Sequence, residues 1–378
     1  MRVIKELLER NLISNYENIK KSYPNVKKIY AVVKAEAYGN GAKGVVNALK
    51  KYDEVHFVVA NTQEAKDVKM LSPEKEILIV GGVDKTCFED VIYNDYILGI
   101  SKKEEVNEIT NFFENIRKND HNKYANKKMQ VHLKINTGMS RLGFDVFDEV
   151  EFKNVLKEIL TNECIDVKGM YSHLSETDNL EILKVEEERF DKAISLLNEV
   201  LGELEIEKKI DDITLHLLAS AGILNGEIKA YDAIRPGIAL YGYYSSFDLK
   251  EKWESKHEKL RPTVRVKSRL NLVREVKKDE YISYISTYKA KENMKVGIVE
   301  SGYDDGYIRA FSNKARVKVN GKFTKVLGIV CMNLFMVDLT NIDAKEGDEV
   351  ILLDEEIDAE ELASIAGTIT DEILCNFK

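Results

Sequence analysis

In the first two thirds of the chain, short β-branched apolar runs alternate with longer stretches in which apolar residues return every three or four positions. The runs at 28–33, 55–59, 77–80, 96–98, 130–135, 167–171, 213–218 and 233–234 predict eight strands. Segments such as 102–116 (KKEEVNEITNFFENI) and 181–204 predict amphipathic helices between them. Strands that are apolar at successive positions suit a parallel sheet buried on both faces. Eight such strands alternating with helices predict a (β/α)8 TIM-like barrel. An open doubly wound sheet is the other arrangement of these units, but no G-x-G-x-x-G follows the first strand.

Beyond residue 245 the pattern changes. A charged helical link (248–260) reaches Pro262, and strand-like runs then follow one another: TVRVKSRLNLV, KVGIVESGY, ARVKVNGKFTKVLGIV and EVILLD, with Asn320-Gly321 as a tight hairpin turn. The expected division is a barrel over 1–245 and a mostly β C-terminal domain over 246–378. A helix is expected at 358–366 and a final strand at 368–375, and the N-terminal stretch is read without a strand that joins the β domain.

Composition narrows the partners. With 44% hydrophobic and 32% charged residues, the 378-residue chain has ample material for a core. A net charge of −9 makes the chain a poor match for nucleic acid or an anionic membrane and points to a small-molecule ligand. No apolar run approaches the roughly 18 residues that span a bilayer. The start MRVIKELLERNL carries acidic residues where a signal peptide needs its apolar stretch, so a cytoplasmic location is expected. Four cysteines and six histidines are scattered without CxxC or HExxH, and no metal site is expected.

Barrel active sites sit at the C-terminal strand ends. There the first strand reads KKIYAVVKAEAYGNGA, which ends on Lys34 ahead of a small-residue loop. A solvated strand-end lysine is the ordinary reading. A partly desolvated one gives up its proton and can form an imine with an aldehyde.

AVVKAEAYGNG resembles the cofactor-lysine signature of the alanine racemase family, fold-type III enzymes that use pyridoxal 5'-phosphate (PLP). The likeness recurs in order through KINTGMSRLGF, GMYSHLSETD, IRPGIALYG, YISYISTY, SGYDDGYIR and GIVCMN. The resemblance implies a racemase interconverting L- and D-alanine, a cell-wall precursor, in a homodimer with shared active sites. It implies that Lys34 carries PLP and moves a proton on one face of the α-carbon, while Tyr284 serves the opposite face from the other subunit. Inversion needs one group on each face.

By the same resemblance, Tyr38, the Ser220 hydroxyl and the amides around Gly237 and Ile238 hold the phosphate. Arg235 faces the pyridine nitrogen, His173 packs on the ring and Arg141 meets the phenolic oxygen. Lys134 is a candidate for carbamylation. Met332 and Arg141 receive the substrate carboxylate, and Tyr303 and Arg309 line the mouth from the partner, facing Asp178.

Six positions depart from the family pattern: Glu36, Asn40, Ala219, Ile329, Asn333 and Asp371. Asp371 stands where these racemases carry a pocket-lining tyrosine, and is expected to border the substrate while turning away from the cofactor. These departures bear on the substrate. A serine or basic amino-acid (lysine or ornithine) racemase is the alternative within the family. A non-catalytic PLP-binding protein is the alternative outside it, although such carriers lack the β domain.

Overall fold

The computed structural model describes residues 3–118, 124, 126–204 and 206–378. The expected apolar runs form the staves of a closed barrel: β2 (Lys28–Val32), β3 (Val55–Val59), β4 (Ile77–Ile79), β5 (Ile97–Ile100), β6 (Met129–Asn136), β7 (Ile165–Tyr171), β8 (Thr214–Ala219) and β9 (Ala233–Arg235). The order is β5-β4-β3-β2-β9-β8-β7-β6, every pairing is parallel, and β5 pairs with β6 to close the ring. All three residues of β4 and all four of β5 are buried, as staves covered on both faces must be. Helices such as Lys103–Arg117 and Leu180–Glu203 bury one stripe each against this ring. Several start on a side-chain cap, with Asn61 accepting from the Glu64 amide and Asp148 from the Glu151 amide.

The C-terminal sheet contains β10 (Val264–Val276), β11 (Met294–Val299), β12 (Arg316–Val319), β13 (Lys322–Leu327), β14 (Phe335–Asp338) and β15 (Glu349–Leu353). All its pairings are antiparallel, and β15 returns to β10, so this sheet also closes on itself. Val319 pairs with Lys322 across Asn320 and Gly321, both at positive φ (49° and 75°), which is the expected two-residue hairpin.

Two expectations are corrected here. A strand β1 (Ile4–Leu7) does join the β domain, running antiparallel to β10 with Leu7 opposite Val264. The four residues IKEL are too short to announce themselves, and their partner lies far along the chain. The segment expected as a last strand is instead the helix Thr370–Asn376. The alternation in GTIT suggested a strand, but Ile373 and Leu374 are buried together while Asp371 and Glu372 occupy the first turn, a helical arrangement.

Candidate active site

The mouth of the barrel holds a cavity of about 400 Å³. Its wall includes Lys34, Tyr38, Lys134, Arg141, His173, Ser220, Arg235, Gly237 and Ile238, the barrel residues expected to hold the cofactor, together with Asp371. It also includes Tyr171, which the sequence reading passed over.

Lys34 is placed by an unusual piece of backbone. Directly after β2, Ala35, Glu36, Ala37 and Tyr38 all take positive φ (51° to 54°), and Gly39 follows at 77°. Left-handed backbone costs an L-residue roughly 1–2 kcal/mol, so neighbours must hold this turn. Glu64 does so from the first turn of the helix Thr62–Leu71 after β3, its carboxylate accepting from the amides of Ala35 (2.8 Å) and Ala60 (2.7 Å). Glu36 accepts from the Ala42 amide at 3.1 Å, and buried Asn40 accepts from the Thr263 hydroxyl at 2.7 Å. These two departures from the family pattern therefore have structural work at the turn. The helix Thr370–Asn376 closes over it so tightly that a Cβ on Gly39 would fall 2.0 Å from the Leu374 carbonyl oxygen. The result brings Lys34 Nζ to 6.0 Å from the centre of the Tyr38 ring.

On the other side, the Ser220 hydroxyl accepts from the amides of Gly237 (2.8 Å) and Ala239 (3.2 Å). With its oxygen held by two backbone amides, the Ser220 hydroxyl has its O–H left to donate to an anion. Arg235, at the end of β9, is buried, and its two terminal nitrogens make four bonds. They donate to His216 Nδ1 (2.7 Å), the His216 carbonyl (2.9 Å), the Leu217 carbonyl (3.0 Å) and the Ser172 carbonyl. The Nε–H is its remaining donor.

The electrostatics are one-sided. Among the described residues, Lys34, Lys134, Arg141 and Arg235 share the wall with a single carboxylate, Asp371. Burial and the charges of Arg141, Arg235 and Lys34 pull the Lys134 amine down to about 8. Burial and the same cationic surroundings press His173 down to about 3, so its ring is neutral. Burial raises the Asp371 carboxyl although Lys34 opposes this. Tyr38 and Tyr171 are pushed well above the ordinary phenol by burial. Such a cavity calls for an anion carrying more than one charge.

Asp371 lines this cavity, close enough to Lys34 to feel its charge. The β-domain candidates lie elsewhere. Tyr284 (65% exposed), Tyr303 and Met332 line no part of the cavity of their own chain, and Tyr284 follows Ser283 in a turn where Ser283, Ile285 and Ser286 all have positive φ. Asp178 accepts from the Ser246 hydroxyl at 3.1 Å. The sign that would have found Tyr171 was its place as the last residue of β7, inside the quoted GMYSH string.

A parallel barrel with a lysine at a stave end, a cationic cavity and an appended β domain defines a lysine-centred barrel enzyme for anionic ligands. The comparisons make this specific. Residues 9–245 match the model for the alanine racemase N-terminal domain, and residues 263–378 that for the C-terminal domain. Alanine racemase of Clostridium perfringens (strain ATCC 13124) is 34% identical over 91% of this chain and 85% of its own length. That of Helicobacter pylori (strain J99) is 32% identical over 98% and 95%. Among solved structures, alanine racemase of Clostridium difficile 630 superposes with a TM-score of 0.87 at 30% identity, over 100% of this chain and 94% of that one. The Bacillus anthracis alanine racemase with bound L-Ala-P gives 0.85 at 26% identity, over 100% and 93%. The chain belongs to the alanine racemase family.

Proposed function

We propose that this protein interconverts L- and D-alanine using PLP held at Lys34, in a homodimer in which Tyr284 of each chain completes the cavity of the other. The observation that carries the reading is the joint placement, in one cationic cavity, of Lys34, the amide-held Ser220 hydroxyl and the buried Arg235.

The residues present fit PLP. A phosphate dianion suits the Ser220 O–H, whose oxygen is fixed by the Gly237 and Ala239 amides, with the Tyr38 hydroxyl and the Ile238 amide, and a Cβ at Gly237 would intrude to 2.9 Å from the Tyr38 hydroxyl. Arg235 has its Nε–H left for a ring nitrogen, His173 supplies a neutral ring and Arg141 a cation for an oxygen of the cofactor or the substrate carboxylate. The buried Tyr171 hydroxyl has no hydrogen-bond partner among the described residues. When bound, the cofactor supplies an aldehyde carbon for the amine and a ring that draws off the electrons left when the α-proton departs.

The chain's own groups then handle the proton. Lys34 returns or removes it on one face. On the other face, Tyr38 and Tyr171 are held protonated by burial and Asp371 stands beside Lys34, and this reading, with the family resemblance, takes the opposing base from the partner chain. Tyr284 suits that role from a partner, because its turn presents it with exposed Ile285, and exposed Met332 stands on the same domain. Met332 and Tyr303 would border the substrate from that side, with Asp371 beside Lys34. Lys134, whose amine is partly neutral near pH 8, has the free amine that carbamylation by CO2 requires. No helix among the described residues is long and apolar enough to cross a membrane. The reading makes this a cytoplasmic enzyme supplying D-alanine for cell-wall precursors.

The test is chiral chromatography of L-alanine incubated with the purified protein, which is expected to be yellow, followed by borohydride reduction and peptide mapping. D-alanine and a reduced cofactor on the Lys34 peptide are expected. A colourless protein that takes up no PLP overturns the reading. For the shared site, mixing Lys34→Ala with Tyr284→Phe protomers is expected to restore part of the activity, and no recovery after verified subunit exchange overturns it.

A further inference from the structure

Beneath the cavity, two buried histidines stand in line behind Arg235. His216 Nδ1 meets the Arg235 terminal nitrogen at 2.7 Å, and His216 Nε2 meets His132 Nδ1 at 2.8 Å. His216 is on β8 and His132 on β6, with β7 between them. The neighbouring strand is cut back to fit this pair. Gly169 of β7 lies opposite His132, and a Cβ there would fall 2.6 Å from the His132 ring. The Tyr171 ring stacks on His216 at 5.1 Å and 6°, and the Tyr30 ring meets His132 edge-on at 5.9 Å.

Hydrogen-bond chemistry fixes the protons along this line. A guanidinium only donates, so His216 Nδ1 must accept. A neutral imidazole that accepts at Nδ1 carries its hydrogen on Nε2, and that hydrogen points at His132 Nδ1. His132 must accept in turn, keeping its own hydrogen on Nε2. We propose that His132 is a positioning residue for Arg235: by accepting from His216 Nε2–H it fixes the tautomer that leaves His216 Nδ1 free to hold the guanidinium.

The electrostatics agree. Burial and the Arg235 charge hold His132 down to about 3 and His216 well below its ordinary value, so neither ring competes as a second cation. Without the acceptor at His132, the His216 N–H is left buried without a partner, and the Nδ1–H tautomer, which would confront Arg235 donor to donor, gains population. The guanidinium would then lose one of the four bonds that orient its Nε–H. The use of that Nε–H toward a cofactor ring nitrogen rests on the function proposed above, whereas the tautomer chain does not.

Multiple-bond 15N NMR of the holoenzyme with 15N-labelled histidine reads the tautomers directly. His216 and His132 are both expected as neutral Nε2–H rings from pH 5.5 to 8, and an Nδ1–H or doubly protonated His216 overturns the proposal. His132→Leu is expected to shift His216 away from the pure Nε2–H form and to lower kcat for alanine at least tenfold in both directions, with KM changed less than twofold. His132→Asn, whose Oδ1 can accept in place of Nδ1, is expected to restore kcat to within threefold of the parent and to return the His216 signal. Unchanged kcat in His132→Leu, or an Asn variant as impaired as the Leu one, overturns it. If His132→Leu does not fold, the parent tautomer and the Asn variant still decide. Absence of racemase activity in the parent strikes the functional reading alone, since the NMR result does not depend on turnover.

Discussion

The barrel residues expected to hold the cofactor line one cavity because strand ends of a closed parallel barrel converge, so a polar residue after an apolar run is already a statement about place. Asp371 is different, for it arrives on a helix from the far end of the chain. Among the described residues its carboxylate is the single acidic group in the cavity wall, raised by burial and close enough to Lys34 to feel its charge. A carboxylate there can accept from a hydroxyl on a substrate side chain, a contact worth about 1–3 kcal/mol, whereas tyrosine would fill the space. Asp371→Tyr is therefore expected to raise the ratio of kcat/KM for alanine over serine at least threefold. An unchanged ratio, measured with both substrates on both proteins, would show that Asp371 does not face the side chain. Tyr171 and the His216–His132 line were not legible as site residues. Their sequence context is that of apolar strands, and only the strand order reveals that Arg235 depends on them.

At the scale of elements, the staves and the hairpin at Asn320-Gly321 were legible because each is decided by residues close in sequence. β1 and the helix Thr370–Asn376 were not, since each is held by distant partners that local pattern cannot display. The left-handed turn after Lys34 is the sharpest case of such dependence. Gly39 there carries two separable constraints, a positive φ and the Leu374 carbonyl 2.0 Å from any Cβ, whereas Gly41 at φ 90° has nothing within 4 Å. Gly41→Ala is expected to cost about 1 kcal/mol from backbone strain alone. Gly39→Ala is expected to cost about 2–4 kcal/mol and to lower kcat/KM at least tenfold, because the helix must retreat from the cavity. Urea unfolding and steady-state kinetics of the two variants check this, and equal effects would mean that helix contact adds nothing.

For the whole molecule, four histidines are folded away as neutral rings: His56 at about 4, His132 and His173 at about 3, and His216 well below its usual value, each chiefly through burial. An unfolded histidine titrates near 6.5. Their contribution is thus fully present above about 6.5 and is lost as pH falls toward 3, since the unfolded chain binds protons that the folded one refuses. Unfolding at pH 5 is expected to take up close to four protons from these groups, each contributing about 1.4 kcal/mol per pH unit. The urea midpoint should therefore drop steeply between pH 7 and 5, and a flat midpoint across that range would contradict the assignment. Finally, the two ends of the described chain are fastened together: β1 lies along β10, and Lys5 Nζ donates to the Phe377 carbonyl at 3.1 Å across 372 positions of sequence. During translation β1 emerges well ahead of β10, and Asn11, just after β1, must wait for Pro262, which is 251 positions later, to bond its carbonyl. At ribosomal speed that wait is on the order of tens of seconds. Throughout it the nascent chain carries a bare strand edge, guarded only by Lys5 and Glu6 against pairing with neighbours. The helix that seats Asp371 beside Lys34 emerges later still, so a polysome-bound chain holds a folded barrel before it can hold a working cavity.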